Sequence, residues 1–175
     1  GLKMVYQEGY TKNDSDNLYF IDPRNKSLGM RVYSNNLPNE FKEITPGILS
    51  DWHYLRIKNK IPYPYKDLEK EKSFIIENNF EQINAIDFNK GCYIGQENTA
   101  RQKYRGTAKR KLVSAEIIGK DVPNGEKIVF DNRAVGTIRS SSKEICLVSI
   151  RSEVYDKCKR DNIKIKINES ELKFL

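Results

Sequence analysis

Glu126-Lys127-Ile128-Val129-Phe130-Asp131-Asn132-Arg133-Ala134-Val135-Gly136 decides how the second half of this chain folds. Two short runs rich in branched and aromatic residues flank Asp131-Asn132, a dipeptide suited to the tight turn of a β-hairpin. The same pattern repeats around it. Residues 111–118, 126–130, 133–139, 144–151, 163–167 and 171–175 are short β-rich runs, and residues 152–161 read as a helical turn. Gly119-Lys120-Asp121, Pro123-Asn124-Gly125 and Ser140-Ser141-Ser142 supply the other breaks. Five or six short strands within about 70 residues predict a small antiparallel barrel or sandwich. Cys146, between Ile145 and Leu147, reads as a buried structural thiol, and Cys158 falls late in the helical turn without a companion ligand.

Working outward, the pattern changes near residues 104–107, which we take as a domain boundary. Before it, Leu18-Tyr19-Phe20-Ile21 and Leu28-Gly29-Met30-Arg31-Val32-Tyr33 read as strands around a turn at Asp22-Pro23-Arg24-Asn25. Arg24 in that turn is either solvated or a ligand contact. Ser50, as N-cap, and Asp51 open a helix that carries Trp52, Leu55 and Ile57 and stops at Ile61-Pro62. His53 on it reads as a surface or packing residue. Pro62-Tyr63-Pro64-Tyr65 is expected to be a rigid extended connector, 66–72 a solvated segment, and Phe74-Ile75-Ile76 a short buried run. The whole is α+β.

Composition narrows the function. The 175 residues are 38% hydrophobic and 31% charged, and no apolar run approaches the roughly 18 residues of a membrane span. The first residues, Gly1-Leu2-Lys3-Met4, lack a signal-peptide core, so we expect a soluble intracellular protein without a membrane partner. Three widely spaced cysteines and one histidine exclude a zinc ribbon or finger. Any metal cluster handled here must draw its other ligands from elsewhere. The net charge of +7 is uneven: residues 1–97 hold 13 Lys/Arg against 14 Asp/Glu, and residues 98–175 hold 18 against 10. That asymmetry points to an anionic partner for the second half, or to a solvated basic surface.

The densest chemistry lies in Lys90-Gly91-Cys92-Tyr93-Ile94-Gly95-Gln96-Glu97, followed closely by Arg101. Gly91 and Gly95 let a ligand or partner approach the main chain. A helix predicted from Gln96 to Tyr104 places its positive end near Cys92, and with Lys90 and Arg101 this favours thiolate over thiol. A thiolate can be a nucleophile, a redox group or a soft-metal ligand. Without a base nearby, metal ligation or redox use ranks above covalent catalysis, and an inert cysteine in a turn stays open.

The octapeptide, as Lys-Gly-Cys-Tyr-x-Gly-Gln-Glu, resembles the signature of the YgfZ-type folate-binding proteins, relatives of the glycine-cleavage T-protein (aminomethyltransferase). Further segments resemble the family in order: Asp22-Pro23-Arg24 with Leu28-Gly29-x-Arg31, Tyr54-x-Arg56 through Ile61-Pro62, Glu77-x-Asn79, Arg105-Gly106 with Lys111-Leu112, and Val135-Gly136 with Ser140-Ser141. Ile75 stands where the family has proline, and the chain covers about half the family's outline, beginning inside its second domain. The resemblance implies a partial aminomethyltransferase-like folate-binding α+β domain over residues 1–104 and a small antiparallel β-barrel over residues 105–175. It implies a tetrahydrofolate-binding accessory protein for iron–sulfur cluster assembly or repair, in the cytoplasm or the mitochondrial matrix, whose partners are cluster carrier or scaffold proteins and client enzymes. Cys92 becomes the redox-active thiol or a shared ligand of a transient iron–sulfur cluster. Lys90, Gly91, Tyr93, Gly95, Gln96, Glu97, Arg101 and Arg24 become the folate-binding or loop residues. Two other readings remain: a folate-dependent aminomethyltransferase, and a basic RNA-binding module built on Arg101, Lys103, Arg105, Lys109, Arg110 and Lys111.

Overall fold

The structure, a computed structural model, describes residues 3–5, 12–14, 17–36, 39–41, 43, 45, 47–91, 94–106 and 108–175. In chain order its elements are β1 (Lys3–Val5), β2 (Lys12–Asp14), β3 (Asn17–Ile21), β4 (Met30–Ser34), α1 (Leu49–Lys58), α2 (Pro64–Asp67) and α3 (Glu97–Tyr104). They continue with β5 (Arg110–Ile118), β6 (Lys127–Phe130), β7 (Arg133–Ser142), β8 (Ile145–Arg151), α4 (Ser152–Arg160), β9 (Ile165–Ile167) and β10 (Ser170–Phe174). The first four strands form one antiparallel sheet in the order β1-β4-β3-β2, with β3 and β4 the hairpin expected around Asp22–Asn25. The last six form a second, in the order β6-β7-β8-β5-β10-β9. Its edge strands β6 and β9 approach each other, giving a nearly closed antiparallel barrel.

Asp131 and Asn132 have φ of 50° and 59°, as the two-residue turn between β6 and β7 requires. Register shifts between Ile128 and Val129 and between Ile138 and Ser140 bend the sheet toward closure. At Gly136 a Cβ would lie 2.8 Å from the Ser149 carbonyl oxygen, so the close approach of β7 to β8 admits only glycine there.

Strand β8 explains how the halves of the chain join. Residues Ile145 through Ile150 are all buried, so the run is continuously apolar but for Ser149. Alternate side chains point to opposite faces. Cys146, Val148 and Ile150 enter the barrel core with Val113, Ile138 and Leu172. Ile145 and Leu147 face outward and pack with Leu112 against Ile57 of α1. Helix α4 covers the barrel through Val154, Tyr155 and Cys158.

Four local expectations need correction. Ser50 is not an N-cap: Ile48 holds that position without a side-chain cap, and the Ser50 carbonyl instead accepts a hydrogen bond from Ser142 Oγ at 2.8 Å. The Pro62–Tyr65 connector is not extended throughout. Pro64 starts α2, where a missing N–H is harmless, and Asp67 Oδ2 accepts the Tyr63 N–H at 2.7 Å to close the turn. Within the segment expected to be solvated, Asp67 is therefore buried. Phe74 is exposed, with Ile75 and Ile76 half-buried; Asn78 is the buried residue of that stretch, donating to the Phe74 carbonyl at 2.8 Å.

Candidate functional site

The octapeptide leaves a series of turns and leads into α3. Cys92 and Tyr93 lie outside the described residues. Gly91 and Ile94 on either side are exposed, Ile94 completely. Gly95 has φ of +92°, a conformation that side chains other than glycine rarely adopt, and space around it is open. Gln96 is half-buried at the start of α3, whose first turn carries Glu97 and whose last turn carries Arg101 and Lys103. Helix α3 thus starts one residue later than expected.

Between this helix and the preceding turns lies a hollow of about 240 Å³. Asp87, Phe88, Lys90, Gln96, Thr99 and Tyr104 are among its walls. The Phe88 and Tyr104 rings meet edge to face with centroids 6.2 Å apart. Lys103 Nζ sits 4.0 Å from the Phe88 ring centroid and pairs with Glu81, fixing that wall. The fold therefore brings Lys90 and Gln96 of the expected set together. Arg24, Glu97 and Arg101 do not line the hollow. Arg24 belongs to a cluster of its own. Its Nη2 lies 2.8 Å from Asp22 Oδ2, Arg31 Nε reaches the same oxygen at 2.8 Å, and Arg31 Nη1 donates to Tyr33 Oη. Burial alone would raise the Asp22 pKa, but hydrogen bonds from the two guanidinium groups outweigh it and hold the carboxyl below its ordinary value.

Several quoted motif residues turn out to hold the seam between the two halves. Arg56, 1% exposed, donates to Asp67 Oδ2 at 2.7 Å, Ser140 Oγ at 2.9 Å, the Ile61 carbonyl at 3.2 Å and His53 Nδ1 at 2.8 Å. Burial lowers the His53 pKa and the Arg56 charge adds to it, so the ring is neutral and accepts that bond. Glu77 Oε1 receives the backbone N–H groups of Lys109 and Arg110 at 3.0 and 3.1 Å. Asn79, at φ 62°, donates to the carbonyls of Lys60 and Leu112. The sequence reading quoted Arg56 within the family-like segment Tyr54-x-Arg56 without giving it a role, and left Asp67 in a segment expected to be solvated. The one available signal was an arginine on the same helix face as Trp52, where a cation needs a buried partner.

Of the six cations from Arg101 to Lys111, three are tied into the chain: Lys103 to Glu81, Lys111 to Asp156, and Arg110 to the Ser149 carbonyl. Cys146 and Cys158 are both sealed away, at 0% and 2% exposure. Burial pushes the Cys146 thiol up to about 12 and raises that of Cys158. Neither offers a thiolate at neutral pH. Among the described residues, no three His, Cys, Asp or Glu side chains gather into a metal site.

No family model matches the chain. It is 29% identical over 161 residues to the mouse (Mus musculus) protein named iron-sulfur cluster assembly factor IBA57, mitochondrial, a match covering 86% of this chain and 43% of that one. The chain is similar to mitochondrial iron–sulfur cluster assembly factors. The human protein of the same name is 28% identical over 141 residues, covering 75% of this chain and 39% of its own length. A homolog from Neurospora crassa is 35% identical over 95 residues, covering 53% and 21%. The chain spans less than half the length of these curated relatives. Their names carry the role in cluster assembly that the octapeptide's resemblance implied. Among the described residues no helix is long and apolar enough to cross a membrane.

Proposed function

We propose that this chain acts in iron–sulfur cluster assembly in the mitochondrial matrix, with Cys92 as a shared ligand of a cluster in transit or as the thiol exchanged with a scaffold protein. The similarity to the mouse assembly factor across 86% of the chain carries this reading. Residue chemistry supports it. A thiolate is a soft ligand matched to iron, and a single one leaves coordination positions for a partner. With Cys146 and Cys158 sealed in the barrel, Cys92 is the cysteine of choice. In cells lacking their own assembly factor of this type, the chain should restore the activity of an iron–sulfur enzyme. Cys92→Ala should abolish that rescue, whereas Cys146→Ala and Cys158→Ala should retain it. Equal rescue by all three variants would remove Cys92 from the mechanism, and no rescue by the unaltered chain would remove the role.

Tetrahydrofolate is the second component of this reading, carried by the resemblance of the octapeptide. The hollow beside α3 is smaller than the roughly 300–1,000 Å³ of sites that enclose a drug-sized ligand. It suits one face of the flat pterin ring laid against the Tyr104 side of the hollow, with the rest of the molecule outside. Asp87 and Gln96 would meet the ring's polar edge, and Lys90 the glutamate carboxylates. Bound folate would supply one-carbon carrier chemistry. Calorimetric titration with tetrahydrofolate should give saturable binding, weakened about tenfold or more by Lys90→Ala together with Tyr104→Ala, since one charge-assisted contact and one aromatic wall are lost. A flat titration, or equal binding by the double variant, would exclude this hollow as the folate site.

A further inference from the structure

Strand β5 begins at Arg110, β8 ends at Arg151 and β7 begins at Arg133, so three neighbouring strands bring arginines to one region of the barrel. Arg110 and Arg151 are direct cross-strand partners, an arrangement of like charges that weakens a sheet. Two hollows of about 450 and 490 Å³ flank this region and share Arg151 and Glu153. The first has an apolar floor of Phe130, Val135 and Val154, with Arg133 and Lys157 at its edge. The second adds Lys109 and Arg110.

The charges here are poorly compensated. Lys157 reaches Asp131 at 3.5 Å and Arg151 reaches Glu153 at 3.6 Å, both pairs in solvent, where such contacts contribute little. The side chains of Arg133 and Lys109 have no ion-pair partner among the described residues. Five cations therefore surround two carboxylates and an apolar floor.

We propose that this rim of the barrel is the docking site for an acidic segment of a partner protein. Its carboxylates pair with Lys109, Arg133 and Arg151, and an apolar side chain seats on Phe130, Val135 and Val154. Charge complementarity selects the sign of the partner, and the details select a peptide over a nucleic acid. Asp131 and Glu153, set among the cations, repel a continuous run of phosphates but can accept hydrogen bonds from a peptide. The floor is mainly aliphatic, and Lys157 Nζ already sits 5.1 Å from the Phe130 ring centroid, leaving no stacking platform for bases. This inference does not depend on Cys92 or on the cluster role.

The test is fluorescence anisotropy with a labelled peptide of about a dozen residues that alternates Glu with Leu and Ser, at about 0.15 M salt, where long-range attraction is screened. The unaltered chain should bind it, and Arg133→Glu combined with Arg151→Glu should weaken binding about tenfold or more. Lys70→Glu combined with Lys120→Glu, the same charge change away from the rim, should leave binding unchanged. If the double reversal misfolds, Arg133→Gln carries the test with a loss of about two- to fivefold, the range of an exposed ion pair. Absence of binding, equal binding by the rim variants, or tighter binding of a single-stranded RNA of equal length would overturn the proposal.

Discussion

Arg56→Ala is expected to destabilise the protein by about 3–5 kcal/mol, the range for removing one partner of a buried ion pair. The loss would exceed that of an ordinary surface cation because Arg56 and Asp67 are 1% and 0% exposed at the side chain. With Arg56 gone, the Asp67 carboxylate remains in the interior with the Tyr63 N–H as its remaining donor; Oδ1 already lacks a partner among the described residues. Ser140 Oγ, His53 Nδ1 and the Ile61 carbonyl each lose a bond as well. The group is then expensive to leave as it is. Urea unfolding followed by tryptophan fluorescence measures the effect, since Trp52 lies on the same helix. Arg56→Met with Asp67→Leu should recover much of the loss, because both charges then leave together. If Arg56→Ala proves as stable as the unaltered chain, the network does not hold the seam.

What could be read in the sequence and what could not divide along physical lines. The barrel was legible because its strands obey local rules: alternation or continuous burial within each run, and a turn dipeptide whose φ angles the Asp131-Asn132 pair accepts. The assignment of Cys146 as a buried thiol rested on its apolar neighbours Ile145 and Leu147 and holds; Cys158, flanked by two lysines, is buried as well, which its neighbours did not show. Asp67 was not legible, since it sits in a run of alternating charges and is buried only because Arg56, eleven residues earlier, turns inward. Phe74, Ile75 and Ile76 misled for the converse reason: three consecutive apolar residues near a 3-10 turn had no sheet to enter. At the candidate site, Lys90 and Gln96 share one hollow, but Phe88 and Tyr104, which shape it, carry no motif and emerge only from the fold. Arg24 was legible as a turn residue, while its pairing with Asp22 and the shared contact with Arg31 depend on the hairpin register.

The second large effect is expected at Ile57, where truncation to alanine should destabilise the protein by about 2–5 kcal/mol. Ile57 is fully buried against Leu112, Ile145 and Leu147, the outward face of the barrel sheet, and its carbonyl accepts a hydrogen bond from Ser114 Oγ. The side chain is held on one side by helix and on the other by sheet, so neither can collapse freely into the space left behind. That places the expected loss toward the upper part of the range. Ile57→Val, which removes a single methylene, should lose only about 0.5–1.5 kcal/mol, and this gradation separates a packing effect from a backbone one. The neighbouring Arg56 adds a further check. Both residues lie on α1 and grip the same sheet, Arg56 through Ser140 of β7 and Ile57 through Leu147 of β8. If α1 detaches as a unit once either grip fails, the double variant Arg56→Ala/Ile57→Ala will lose less than the two single losses combined, with a coupling of about 0.5–3 kcal/mol. Strict additivity in the unfolding free energies would instead mean that the two contacts act independently, and that the helix stays docked on whichever one remains.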